Sequence, residues 1–333
     1  MNSPQSPLST QRISFLRTLR ACAVYSLLAA LLYFALRNAP LTDIWKTLSK
    51  LRLWQVLTLL GINAAIYMLI TLRWWLIVRT ENKSILYFPL LAIRVAVFGI
   101  SYFTLGPQVG GEPLQVLYQQ RRYGMTYTRA TSTVIMDKLL EFLANFFLLA
   151  LGLTAILQAG ILSVNGSSSF ASLSGLVSLL LWPPIHIIFI YRGKYPVSAL
   201  LRKFSNNKFV RFVAASERMA GAFCRRHLSS LVSAILVSIF TALGMVGEYF
   251  CITLFLGVHL SFWQIIAAWT AGWLAFLVPL PGGLGALEAS QVFALGAFGI
   301  SAASAIGVTL LIRARDLLIG GLGLLIASRG VNK

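Results

Sequence analysis

Gly106-Pro107-Gln108-Val109-Gly110-Gly111-Glu112-Pro113 and Pro279-Leu280-Pro281-Gly282-Gly283-Leu284-Gly285-Ala286-Leu287-Glu288 interrupt two apolar stretches of this chain, and they read as two copies of one device. In a membrane protein, paired Gly/Pro breaks in corresponding halves point to broken helices around a binding site. Each break is followed by an apolar segment that carries charges: Asp137, Lys138 and Glu141 after the first, Arg313, Arg315 and Asp316 after the second. The repetition points to a transporter.

Composition sets the solvent in which that device works. Of 333 residues, 58% are hydrophobic and only 11% are charged; an ordinary soluble domain is about 25% charged. Apolar runs recur along nearly the whole length, the mark of a polytopic membrane protein. Lysine and arginine total 28 against 9 acids, an excess that cytoplasmic loops beside anionic headgroups explain. Nucleic acid is not an expected partner: the longest polar segment, 191–230, is too short for a separate binding or catalytic domain. Cys22, Cys224 and Cys251 have neither disulfide nor metal spacing, and His186, His227 and His259 stand apart from one another. Neither a metal nor a cofactor is therefore expected. Arg12, Arg17 and Arg20 precede the apolar run from Ala21, and with no small-residue cleavage site after it this start reads as an uncleaved first helix.

Apolar runs predict helices near 21–37, 54–78, 87–105, 131–157, 171–191, 229–256, 263–280, 284–299 and 303–328. The decisive connection is 192–228, where Arg192, Lys194, Arg202, Lys203, Lys208, Arg211, Arg218, Arg225 and Arg226 face one acid, Glu217. It should be cytoplasmic, as should the basic N-terminus and the tail with Arg329 and Lys333. The connections 158–170 and 257–262 carry no charge and should face outward. Crossing parity then makes 87–130 a re-entrant hairpin from the cytoplasm and 263–299 one from outside, each with its Gly/Pro break at the tip. The expected fold is an all-α polytopic membrane protein in one integral membrane domain, 1–333. It comprises two inverted repeats, about 21–157 and 171–328, with about six spanning helices and two re-entrant helical hairpins. Segment 38–53 carries Asp43, Lys46, Lys50 and Arg52 on the predicted outer side, and its Leu41, Ile44, Trp45, Leu48 spacing suggests an amphipathic surface helix. A stripe of Phe204, Phe209, Phe212, Val213 and Met219 suggests the same on the cytoplasmic side, lying on anionic lipid or simply fixing orientation.

Candidate functional residues cluster at the breaks and on the charged helices. Gly110-Gly111 and Gly282-Gly283 permit unusual backbone angles, and Gly111 and Gly283 are expected at positive φ or where a headgroup must approach closely. Pro113 suits the first turn of a returning helix, and a helix N-terminus at such a tip is a ready site for a lipid phosphate. Helix packing or a simple kink is the plainer use of the same glycines. Lys138 and Glu141 are spaced to pair, as are Arg313 and Asp316. Arg313 lies about 15 Å into its helix, where a charge must face protein or water, either binding phosphate or tying the repeats together. Glu112 and Glu288 follow the glycine pairs and suit capping or, at a water-accessible tip, proton carriage. Arg94 and Glu248 also fall within apolar segments, and Arg94 is a further candidate, either supplementing a phosphate site or snorkelling. The lipid and phosphate candidates are thus Gly110, Gly111, Gly282, Gly283, Arg313, Arg94 and Lys138. The charge-network or proton-carrier candidates are Glu112, Asp137, Glu141, Glu288, Arg315 and Asp316.

On these motifs the chain resembles the lysylphosphatidylglycerol-synthase transmembrane-region family, also called flippase-like domain proteins. Pro107, Gly110, Gly111, Glu112, Arg121 and Arg122 match a first motif; Pro279 to Glu288, with Arg313 downstream, match a second and more specific one. The resemblance covers essentially the whole chain. It implies a multi-pass protein of the bacterial inner membrane or an archaeal membrane, with two inverted repeats. Its best-understood branch moves aminoacylated phosphatidylglycerol between leaflets, and further branches resemble translocators of polyprenyl-linked sugars or hopanoids. The chain ends at Lys333 without a soluble aminoacyl-transferase domain, so lysyl-lipid synthesis by it alone is not expected. Asp137-Lys138 also stands where the family often has arginine.

The expected function is therefore lipid translocation without covalent chemistry: a phosphate-bearing phospholipid or a polyprenyl- or hopanoid-type lipid crosses between leaflets. A membrane-embedded headgroup transferase would be an enzyme of the same setting, but the chain has no His-x4-Asp motif, metal cluster or nucleophile-base pair. An ion-coupled small-solute carrier would work through Glu112, Asp137 or Asp316. A non-transporting envelope assembly partner would need none of these charges for transport.

Overall fold

A segment surrounded by hydrocarbon must satisfy its own backbone hydrogen bonds, and the helix does so within one segment. The computed structural model describes residues 45–46, 49, 51–104, 110–158, 181–182, 184–204, 207–277 and 283–330, and these contain helices and no strand. They are α1 (Leu53–Glu81), α2 (Tyr87–Phe103), α3 (Glu112–Tyr123), α4 (Tyr127–Gln158), α5 (Pro196–Phe204), α6 (Lys208–Arg226), α7 (Leu228–Phe255), α8 (Phe262–Ala275), α9 (Ala286–Gly296) and α10 (Ala302–Gly330), with a further helical stretch over 184–191. Expected helix 21–37, connection 158–170 apart from Gln158, the first half of helix 171–191, most of the surface segment 38–53, and the break residues 105–109 and 278–282 lie outside the described residues. Gly282 and Pro107 are among these.

Helices α1, α7 and the Tyr127–Ile156 part of α4 are long and apolar enough to cross a bilayer. At 29 residues, α10 equals α1 in length but carries Arg313, Arg315 and Asp316 near its middle. The limbs flanking the two breaks are short: 17 and 12 residues for α2 and α3, 14 and 11 for α8 and α9. Even the longest of these spans only about 26 Å at 1.5 Å per residue. The four helices beginning at 53, 87, 112 and 127 recur in order at 228, 262, 286 and 302, a shift of 174 or 175 residues each time.

Packing follows the same exchange. Helix α1 lies along α7, α2 along α10, and α8 along α4, while α3 and α9 fold onto α4 and α10. Glycines permit the closest of these approaches. A Cβ on Gly99 of α2 would sit 2.6 Å from the Gly320 carbonyl of α10, and one on Gly323 would collide with the Val95 carbonyl. In the other pair, a Cβ on Gly152 of α4 would strike the Thr270 side chain of α8. Close backbone approach at small residues is a normal source of helix association in membranes, where no hydrophobic drive separates helix from lipid.

The basic connection 192–228 is not an open loop but the helix pair α5 and α6. Its nine cations are all exposed. Its one acid is buried: Glu217 accepts from Val197 N at 3.2 Å and Ser198 N at 3.0 Å, closing the first turn of α5, with His186 Nε2 at 3.4 Å. Of the expected apolar stripe, Phe209 is exposed and Phe212, Val213 and Met219 are half-buried. Val210, Ala214, Glu217, Ala220, Phe223 and Cys224 form the buried face, where α6 is seated on α4 and α5.

Two outcomes are expected. Gly323→Val should force α2 from α10 and lower the melting temperature in detergent, whereas Gly321→Ala, with nothing within 4 Å of the added Cβ, should be neutral or stabilising by up to about 1 kcal/mol. Cys224 lies against Met136 with sulfurs 3.8 Å apart, and burial pushes its thiol up to about 11. Since the thiolate is the reactive form, Cys224 should resist maleimide at pH 7.5 and react on denaturation; rapid labelling of the folded protein would show that α6 does not stay on α4.

Candidate functional site

Each charged helix presents its ionisable side chains both to a hairpin limb and to a neighbouring long helix. In the first half, Asp137 Oδ1 accepts from Arg73 Nε and Oδ2 from Arg94 Nη2, both at 2.7 Å. Glu141 accepts from Arg73 Nη2 at 3.0 Å and from Lys138 Nζ at 3.1 Å. Lys138 also reaches Glu112 at 3.2 Å. In the second half, Arg313 pairs with Glu288 and donates to the Gly283 carbonyl at 3.3 Å. Arg315 pairs with Glu248 at 2.6 Å and with Asp316 at 2.8 Å, and Asn63 donates to Glu248 at 3.1 Å.

The expected Lys138–Glu141 pair is present. The expected Arg313–Asp316 pair is not: the one-turn spacing is available, but Glu288 arrives from α9 and takes Arg313, leaving Asp316 to Arg315. Arg94 does not snorkel; it is buried, with its guanidinium 5.8 Å from the Trp74 ring centre.

Of the two candidate capping acids, Glu288 caps α9, its Oε2 accepting from the N-cap Gly285 N at 3.0 Å. Glu112 is the first residue of α3 and accepts instead from Gly110 N, one residue before the N-cap Gly111, at 2.8 Å. The same carboxylates hold Lys138 and Arg313 across on the next helix. Gly111 N donates to Ser101 Oγ at 2.9 Å, so these tip amides, expected to meet a phosphate, already have partners within the protein. Positive φ falls at Gly110 (131°) and Gly283 (62°). At Gly111 φ is −92°; what that position requires is space, since a Cβ there would lie 2.5 Å from the Val97 carbonyl.

A cavity of about 230 Å³ joins the halves. Arg73, Arg94, Glu112, Lys138 and Glu141 line it from the first half, and Glu248, Arg315 and Asp316 from the second. Arg313, Glu288 and Asp137 stand behind this lining and hold it in place. The first cluster sets Arg73, Arg94 and Lys138 against Glu112, Asp137 and Glu141; the second sets Arg313 and Arg315 against Glu248, Glu288 and Asp316. The positive surplus of the whole chain is therefore absent from the described cavity walls and lies instead on surfaces such as α5 and α6. No group of His, Cys, Asp and Glu suited to a metal ion occurs among the described residues.

Arg73 is a member of the first cluster that the sequence does not single out. It sits between apolar residues and Trp74-Trp75, near enough to the helix end to resemble an interfacial cation. One signal could have found it: Arg73 stands 20 residues after the start of α1, as Glu248 does after the start of α7. The helices carry opposite charges at that position because each answers the neighbouring cluster.

Breaking a buried pair by removing one partner costs roughly 3–5 kcal/mol, because the remaining charge is left uncompensated. Asp137→Asn should therefore lower thermal stability in detergent sharply, whereas Arg122→Ala, at an exposed position, should stay within about 0.5 kcal/mol. Equal melting curves would show that Arg73 and Arg94 find substitute acceptors.

The profile of the lysylphosphatidylglycerol synthase TM region matches residues 19–323. The chain is also similar to the UPF0104 membrane protein PH1989 of Pyrococcus horikoshii, with 27% identity over 267 residues, covering 72% of this chain and 76% of the relative. No solved structure matches it. A match over nearly the full length, on the two break motifs and the charged helices after them, makes the chain a member of the lysylphosphatidylglycerol synthase TM region family.

Proposed function

We propose that this protein is a translocator, not an enzyme, moving a phosphate-bearing lipid between the leaflets of a cytoplasmic membrane. The observation that carries the reading is the shared cavity lined by ion-pair clusters from both halves. A charged headgroup can leave water only where protein groups replace its hydration. In this cavity Arg315 and Lys138 already hold carboxylates that a phosphate can replace, so headgroup binding exchanges one anion for another. The acyl or isoprenoid chains stay in the surrounding hydrocarbon throughout. Phospholipid and polyprenyl- or hopanoid-type lipids are the candidate cargo.

The architecture proposed for this work is a pair of inverted repeats. Recurrence of four helices at a near-constant shift, with reciprocal packing of α2 on α10 and α8 on α4, supports two related halves. An odd number of crossings per half, with the breaks at the tips of re-entrant hairpins, gives those halves opposite orientation. The nine exposed cations of the connection 192–228 support a cytoplasmic face in contact with anionic headgroups, and cytoplasmic termini follow from the same parity.

In a background lacking native cysteines, Arg122→Cys should react with an impermeant thiol reagent only from the cytoplasm and His259→Cys only from outside. Reaction of both from one side would remove the inverted arrangement. Proteoliposomes loaded with fluorescent phosphatidylglycerol should expose its inner-leaflet pool to an external quencher faster than empty liposomes, with unchanged lipid mass. Arg315→Gln should slow this about tenfold, as expected for loss of one charge-assisted hydrogen bond. Protein-independent rates across phosphate-bearing lipids would sink the translocator reading, and a changed lipid mass would point to a transferase.

A further inference from the structure

Outside the central cavity, α3 and α4 enclose an open groove of about 640 Å³, within the roughly 300–1,000 Å³ of ordinary ligand sites. Its walls are one face of each helix. Pro113, Val116 and Leu117 recur at helical spacing on α3, opposite Val134, Ile135 and Phe142 on α4. Among its lining residues, only Glu112 and Lys138 are charged, and both also line the central cavity. The apolar groove and the polar cavity therefore meet at one ion pair, Glu112–Lys138, 3.2 Å apart.

We infer that this groove holds one hydrocarbon chain of a membrane lipid, with the lipid's phosphate at Lys138, and that the Glu112–Lys138 pair is the gate through which the headgroup passes into the cavity. The inference rests on the translocator reading and adds the place where cargo is taken up. Three features argue for a lipid as the occupant. A groove with apolar walls on a membrane helix pair is filled by hydrocarbon from its surroundings. The cation bordering it complements a phosphate and not a second apolar chain. Finally, Glu112 has a second partner to retain when Lys138 turns to the phosphate, because it accepts from Gly110 N. Opening the pair leaves Glu112 that backbone donor and Lys138 its second carboxylate, Glu141. A pair with backup partners on both sides is suited to exchange, unlike the doubly held Asp137.

The test is photocrosslinking of the full chain in nanodiscs with phosphatidylglycerol bearing a diazirine on one acyl chain. Crosslinks should concentrate on Val116, Leu117, Ile135 and Phe142 and be displaced by unlabelled phosphatidylglycerol. Labelling of the exposed Leu236 and Leu243 on α7 should not be displaced, since it reports ordinary surrounding lipid. Ile135→Trp and Leu117→Trp, which fill the groove from opposite walls, should each cut groove labelling about tenfold. Lys138→Gln should abolish the advantage of phosphatidylglycerol over diacylglycerol as competitor. Groove labelling no stronger or more displaceable than that of α7 overturns the inference, and this comparison needs no variant. Displacement by inorganic phosphate alone would reassign the anion site to a free solute and likewise overturn it. Displaceable groove labelling without lipid movement in proteoliposomes would leave the uptake site standing and remove translocation. Wild-type movement in both Trp variants would instead remove the groove and leave translocation standing.

Discussion

Ionised groups carried on helices among hydrocarbon must find opposite charge and hydrogen bonds inside the protein, and the rest of this fold follows from how that demand is met. Arg73, Arg94, Asp137, Glu248, Arg313 and Asp316 are all buried. An isolated charge there would cost several kcal/mol, so helices that carry one are obliged to lie beside helices that carry its complement. Helix α1 is held to α4 through Arg73, and α7 to α10 through Glu248. The hairpin limbs are held by Glu112 and Glu288, each of which satisfies a tip amide and a cation on the following helix at once. One carboxylate per hairpin thus fixes both the local turn and its attachment to the long helix behind it.

Reciprocity follows from this arrangement and from glycine. The first half packs its α2 on α10 of the second, and the second packs α8 on α4 of the first. Neither half encloses the cavity by itself; residues of both are needed to line it. Gly99, Gly323 and Gly152 set the approach in these cross-contacts, where an added methyl would meet a carbonyl or a neighbouring side chain. The symmetry is not complete. Tyr249 of α7 donates to Gln291 of α9 at 2.5 Å in the second half. Trp74 lies as far into α1 as Tyr249 does into α7, and Gln115 follows Glu112 as Gln291 follows Glu288, yet Trp74 Nε1 and both Gln115 amide atoms are buried without a hydrogen-bond partner among the described residues. Among these residues the second hairpin is tied to its neighbouring long helix by a hydrogen bond with no counterpart in the first, and the first is the hairpin bordering the apolar groove.

Charge is divided by location. Formal net charge is +19, yet the described cavity walls are close to balance, with cations matched by carboxylates. Exposed cations on α5 and α6 keep their hydration and cost little in solvation. Buried cations act only through the partner in contact with them. The overall charge consequently says little about the cavity.

The sequence by itself determined the helical class, most helix positions to within a few residues, the two breaks and the capping acid Glu288. These depend on local matters: an apolar run long enough to satisfy its own backbone, a glycine where φ must be positive, an acid near a helix start. It also carried the Lys138–Glu141 pair, since both members share one helix face. Only the tertiary structure decided that Arg313 belongs to Glu288, that Arg315 reaches Glu248, and that Arg73 is a buried member of the first cluster. Those partners lie 25 to 68 residues apart, and nothing in the local pattern ranks one distant carboxylate over another. The buried face of α6 was decided in the same way, by its contact with α4 and α5. The choice among local options is made by what is already packed against each helix, and that becomes defined only when the halves come together.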